Sequence, residues 1–426
     1  MSTDEYRLEQ LANGQRLITE KLAHLRSVCM GFWIPTGSRD EPAALYGAGH
    51  FVEHLLFKGS ARYTAEEIAQ VFDTLGGELN ASTSREYVVV YGRFLDDQLP
   101  VAMDVMADMV LTPTFTDFDQ EREVILEEIA MVEDSPQDLI HDVLAEVVLD
   151  GHALAHPILG TRESITAVSY EDIRAFHHSR FAFSDMAVAV VGNVDHDQVR
   201  ELLLERQTAA DRRTKGRTRT LPGSHPRRRF VCKETEQMHV CFGGIGLARD
   251  DERRFQLSVL DSLFGGSLSS RLFQEVREKR GLVYSVYSFA NLYSETGIVG
   301  LYFGCRPERL GMVVETVGRE LTRLVTEPVP TEELQRAKEH LKGRLILGLE
   351  SPASRMNRLG KGVITDTEIL SLDELARRVD AVTSEQLLDL AAEVFQPGAL
   401  SVVGIGSDES AFTDVIPADC LAGLVD

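Results

Sequence analysis

His50, Glu53 and His54 stand in the pentapeptide HFVEH, inside YGAGHFVEHLLFKGS from Tyr46. Two imidazoles four residues apart project from one face of a helix, and a carboxylate three residues after the first shares that face. Such a set can bind a divalent metal through two neutral ring nitrogens and keep a carboxylate beside it as general base. The competing reading is a pair of hydrogen-bonded core histidines with a surface glutamate. A chance HxxEH match in a chain this long has odds on the order of a few hundredths, which favours the metal. The neighbours Phe51, Val52, Leu55, Leu56 and Phe57 are apolar enough that the helix must be buried, so its polar stripe must find partners. Gly59 stops the helix.

A catalytic zinc site needs a third protein ligand and an open position for water. QEREVILEEIAMVEDS, from Gln120, has helical periodicity and offers Glu121, Glu123, Glu127 and Glu128. Glu121 and Glu128 are seven residues apart, two helical turns, and share a face, whereas Glu123 and Glu127 point elsewhere. Glu128 is the expected ligand and Glu121 the partner that orients a ligating histidine. A charged, solvated helix face is the rival reading, and Glu127 is the alternative ligand.

The elements that must position these side chains form two halves. A chain of 426 residues favours two or three compact units. The polar, basic stretch RQTAADRRTKGRTRTLPGSHPRRR reads as a linker over 206–229, between a first domain at 1–205 and a second at 230–426. The halves echo each other at a displacement of about 212 residues, the mark of duplication. VCMGFWIPTGSRDE from Val28 matches VCFGGIGLARDDE from Val240, and MAVAVVGN near the end of one half matches LSVVGIG near the end of the other. YVVVYGRF from Tyr87 and GIVGLYF from Gly297 read as strands, and TEELQRAKEHLKGRLILGLES as a helix. Strands do not alternate strictly with helices, so the expected class is α+β. Two tandem homologous domains follow, each a mostly antiparallel sheet packed against helices in a duplicated ferredoxin-like manner.

Composition narrows the function. A net charge of -23 argues against nucleic acid as a partner and is compatible with basic peptides. The linker arginines lack interleaved aromatic residues and read as a solvated connection. The polar start MSTDEYRLEQ and the absence of a long apolar run predict a cytoplasmic protein without membrane insertion. Cys29, Cys232, Cys241, Cys305 and Cys420 form no CxxC pair and read as buried free thiols. His177 and His178 lack a carboxylate at ligand spacing, and Gly265 and Gly266 lack the GK[ST] of a phosphate loop.

HFVEH followed 74 residues after His54 by Glu128 of EREVILEE resembles the pitrilysin family of inverted-motif zinc peptidases, which includes mitochondrial processing peptidases and insulin-degrading enzymes. The likeness is greatest to the bacterial processing-peptidase-like members. It extends through GSRDE, LLFKGS, GGELNASTSREY and HPILGTRESI to LFGGSLSSRLFQEVREKRGLVYSVYSF in the second half, which has no HxxEH of its own.

The resemblance implies one Zn2+ per chain on His50, His54 and Glu128, with Glu53 as catalytic base and Glu121 as acidic partner. It implies that Asn80 and Ala81 lie on an edge strand to which peptide adds. Arg277 and Tyr284, seven residues apart, would reach the substrate from the second half; taken alone they read as a surface arginine and a core tyrosine. The implied protein is a zinc endopeptidase of peptides or unfolded segments, a clamshell with an enclosed chamber, paired as a homodimer. The alternatives are a catalytically silent or partner-dependent processing-peptidase-like subunit, and a metal-free peptide-binding module.

Overall fold

A computed structural model describes residues 6–206, 216–223 and 225–416. Of the basic stretch 206–229, residues 207–215 and 224 lie outside the described residues, as does Cys420. The strands are β1 Tyr6–Gln10, β2 Arg16–Lys21, β3 Ser27–Ile34, β4 Glu78–Thr83, β5 Val88–Leu95 and β6 Ala187–Gly192, then β7 Arg228–Cys232, β8 Met238–Gly246, β9 Val283–Leu292, β10 Gly297–Cys305 and β11 Ser401–Gly406. The helices that matter most for the site are α1 Ala48–Leu56, α2 Phe118–Asp134, α3 Pro136–Val148, α4 Arg254–Phe264, α5 Thr331–Gly348 and α6 Pro352–Ile364.

Two mixed sheets result, in the orders β1-β2-β6-β3-β5-β4 and β7-β11-β8-β10-β9. Leaving out β1, the orders are the same, and each sheet is antiparallel except at one pair, β2 with β6 and β7 with β11. The sequence echo is therefore a duplication of fold. Cys29, Cys241 and Cys305 are buried, as expected, whereas Cys232 is exposed: it closes the edge strand β7, which has a neighbour on one side only.

The chain forms two compact units, one of Met1–Ala130, His156–Thr218 and Ile346–Ser371, the other of Met131–Ala155, Arg219–Leu345 and Leu372–Asp426. Each sheet is buried on both faces, which explains strands that read as apolar runs. In the first unit Val28, Met30, Phe32 and Ile34 of β3 join a core with Phe51, Val52 and Leu55 of α1. The alternate residues Cys29 and Trp33 face the other way, onto Met356 and Leu359 of α6. Gly360 of α6 permits this approach, because a Cβ there would lie 2.0 Å from Trp33 Nε1. In the second unit Val240 and Phe242 of β8 join one core, while Cys241 meets Leu144 and Val148 of α3 together with Tyr302 and Ile405. Each unit thus covers its second sheet face with a helix that is distant in the chain.

Candidate metal centre

Helix α1 is capped by Gly47, whose backbone is left-handed (φ 90) and where a Cβ would lie 2.5 Å from Leu159 O. Its first amides need acceptors. Glu41 supplies them: Oε2 accepts from Gly47 N and Oε1 from Gly49 N, both at 2.7 Å. Burial pushes the Glu41 carboxyl up to about 8 against the pull of those two amides. The helix then buries Phe51, Val52, Leu55 and Leu56 completely, which turns His50, Glu53 and His54 to the opposite side.

Glu128 of α2 meets both histidines there. Its Oε2 is 3.5 Å from His50 Nε2 and 3.5 Å from His54 Nε2, and the two rings are 4.6 Å apart at 65°. The three potential ligand atoms lie within 4.8 Å of one another, the only such group of three among the described residues. Ligands of a tetrahedral ion about 2.1 Å away stand roughly 3.4 Å from each other, so two imidazoles and one carboxylate at these distances fit zinc. Glu123 and Glu127 are exposed and take no part in the group.

The supporting contacts favour that use. His54 Nδ1 is 3.1 Å from Oε2 of Glu121, which is 4% exposed; with the ring proton on Nδ1, the Nε2 lone pair is directed to the metal position. Burial, then the neighbouring His54, hold the His50 pKa down to about 3, so its ring is neutral and free to ligate near pH 7. Glu53 is drawn to β4, where Thr83 Oγ1 donates to its Oε2 at 2.5 Å. Burial raises the Glu53 carboxyl; that hydrogen bond and His54 oppose the rise.

Asn80 and Ala81 lie on β4, the outermost strand of its sheet, and Asn80 Oδ1 accepts the Ala81 amide at 2.8 Å. Arg277 and Tyr284 belong to the second unit and meet each other there. The Arg277 guanidinium sits 4.8 Å from the Tyr284 ring centroid and 4.7 Å from that of Phe273. Tyr284, the second residue of β9, is 78% exposed, which rules out the rival reading of a core tyrosine. His177 is structural: buried, its Nε2 bonded to Val110 O at 2.9 Å, its pKa pushed down to about 4 by burial. Sequence reasoning missed Glu41 and Thr83. The GSRDE segment preceding a glycine-rich helix start was the available sign for Glu41; a hydroxyl in a short strand gives none for Thr83.

A model of the insulinase family (peptidase family M16) matches residues 16–162, and a model of the peptidase M16 inactive domain matches residues 167–341. An uncharacterised zinc protease of Streptomyces coelicolor is 40% identical over 418 residues, covering 94% of this chain and 90% of that protein. One of Bacillus subtilis is 38% identical over 387 residues, covering 90% and 94%. Among solved structures, a peptidase M16 inactive domain from Pseudomonas fluorescens superposes with a TM-score of 0.88 at 21% identity, over 95% of this chain and 98% of its own. A protease from Helicobacter pylori reaches 0.85 at 21% identity, over 94% and 99%. These two show a shared fold. Among the described residues no helix is long and apolar enough to cross a membrane.

Proposed function

From the premise that the chain belongs to peptidase family M16, the insulinase family, we propose a zinc-dependent endopeptidase acting on peptides or unfolded polypeptide segments. The observation that carries the reading is the convergence of His50, His54 and Glu128 with Glu53 on the same helix. Those three residues would hold one zinc per chain. Bound there, the metal supplies Lewis acidity toward a peptide carbonyl and lowers the pKa of water.

The chain's own residues do the rest. Glu53 takes a proton from the attacking water and returns it to the departing amine. Asn80 and Ala81 receive the peptide backbone along β4, as an added strand. Arg277 and Tyr284 are assigned to hydrogen bonds with the substrate backbone or the developing oxyanion. A homodimer is the assembly we propose.

Cleavage of a long quenched peptide by the purified chain tests the reading. A chelator should abolish turnover and zinc should restore it. Glu53→Gln should lower turnover by about 10²–10⁴-fold with zinc content unchanged; undiminished cleavage by that variant would sink the assignment. A second reading, a silent or partner-dependent subunit, draws on the description of the Pseudomonas fluorescens neighbour as an inactive domain. It predicts no turnover from the zinc-loaded chain alone.

A further inference from the structure

We propose that Lys58 is a positioning residue of the metal centre, acting on His54 through Glu121; the proposal rests on the zinc reading above. Glu121 is a buried carboxylate, and a buried charge is tolerated only with partners on its oxygens. Each oxygen has one. Oε2 faces His54 Nδ1 at 3.1 Å, and Oε1 faces Lys58 Nζ at 2.7 Å. The lysine therefore fixes the rotation of the carboxylate that fixes the imidazole. Placement of Glu121 in the first turn of α2 adds the positive end of that helix.

Lys58 is not an incidental surface cation that happens to swing near. It follows His54 by four residues, just past the end of α1, and its own backbone is tied to the loop that leads into α2. The Thr116 hydroxyl donates to Lys58 O, Thr114 N donates to Gly59 O at 3.1 Å, and Ser60 bridges Pro113. Within that loop Phe115 and Asp117 hold left-handed backbone at φ 55 and 60, an arrangement kept by burial of the Phe115 ring and by Glu121 N donating to Asp117 O at 2.9 Å. These contacts lace the end of α1 to the start of α2 and set the lysine stem beside Glu121, where its ammonium pairs with Oε1. Without it, Glu121 Oε1 loses its partner, the carboxylate is free to turn, and His54 loses the contact that aims Nε2.

The test is a double-mutant cycle read as zinc affinity, by chelator competition on the full chain, in the wild type, Lys58→Met, Glu121→Gln and the double variant. Lys58→Met should weaken zinc binding by about 10-fold, the lower end for loss of a group that orients a metal ligand. In the Glu121→Gln background the same change should cost less than about twofold, because its route to His54 is gone. Lys58→Arg, which can pair with the same oxygen, should stay within a few-fold of wild type. Lys58→Gln replaces Lys58→Met in the cycle should the latter not fold, with loss in the same direction. Equal losses in both backgrounds, or no loss in either, overturn the proposal while leaving the zinc site standing. A wild-type chain that takes up no zinc overturns the site and the proposal together.

Discussion

The candidate metal centre on α1 and α2 has a counterpart in the second unit, a cavity of about 290 Å³ against α4 and α5. LLFKGS at 55–60 corresponds to SLFGGS at 262–267, which sets Leu257 at the place of His50, Leu260 at that of Glu53 and Asp261 at that of His54. The Ser-Pro steps that begin α3 and α6, at Ser135 and Ser351, set Arg344 at the place of Glu128 and Ala337 at that of Glu121. Strand pairing sets Leu292, opposite Gly297, where Thr83 stands opposite Val88. Leu257, Asp261, Arg344 and Leu292 come from three independent alignments, yet all line that one cavity. The duplicated fold provides a recess at the same place in both copies; side chains alone decide whether it binds metal. Leucine has no lone pair and arginine is a permanent cation, which leaves Asp261 and the nearby His340 as donors, and these do not complete a group of three among the described residues. Lys58 and Glu121 are likewise replaced, by Gly265 and Ala337.

The strongest test of this equivalence writes the first site into the second. Leu257→His, Asp261→His and Arg344→Glu together should raise zinc from one to two per chain, measured by metal analysis. The new site should bind about 10–100-fold more weakly than the original, because no carboxylate orients its histidines. A lysine cannot be added to help: a Cβ on Gly265 would lie 2.2 Å from Ser288 N. Failure to take up a second zinc would break the comparison.

A smaller effect concerns the charge left in the second recess. Asp261 Oδ1 accepts the Ser288 hydroxyl at 2.6 Å, and burial pushes its carboxyl from 3.8 to about 6 despite nearby Arg344. A carboxyl raised on folding binds its proton more tightly in the native state, so its contribution is favourable below the unfolded value and is lost as pH rises through about 6. Ionised Asp261 then costs up to about 3 kcal/mol at neutral pH. Asp261→Asn should raise the thermal midpoint at pH 8, and the gain should vanish near pH 4. A constant difference across that range would mean that the burial argument is wrong.

Much of the first recess was legible because its chemistry repeats with the helical period. HFVEH shows which side of α1 is polar, and the seven-residue spacing of Glu121 and Glu128 sets them on one side of α2. The edge position of β4 came with the family resemblance, and the matching segments of the two halves announced a shared fold without giving its strand order. What remained hidden depends on encounters between distant segments. An apolar stripe on α3 or α6 says that one face is buried and not which sheet receives it. Arg277 and Tyr284 were singled out only by the family resemblance; the chain crosses from a helical turn into β9 between them, and the two meet as a cation over a ring. Glu41, Lys58 and Thr83 are short-range neighbours of the proposed metal ligands and base in space, yet each is an ordinary polar residue in sequence, distinguished only by the atom it touches.

Thr83 gives the finest cut between the two recesses, since Leu292 stands in its place where no base is needed. Its hydroxyl holds Glu53 Oε2 at 2.5 Å, on the carboxylate proposed to receive a proton from water. Thr83→Val keeps the volume and β-branching of the strand residue and removes only that donor. A hydrogen bond to a charged group is worth about 1.5–3 kcal/mol, and part of this is recovered by water at a half-buried position, so kcat should fall roughly tenfold. KM and zinc content should not move, because the substituted side chain holds the base and neither the metal nor the peptide backbone. Thr83→Ser should recover most of the rate. A loss confined to KM would instead place Thr83 in the peptide-binding edge of β4, and an unchanged kcat in Thr83→Val would show that α1 and the backbone amide at position 83 hold Glu53 without the hydroxyl.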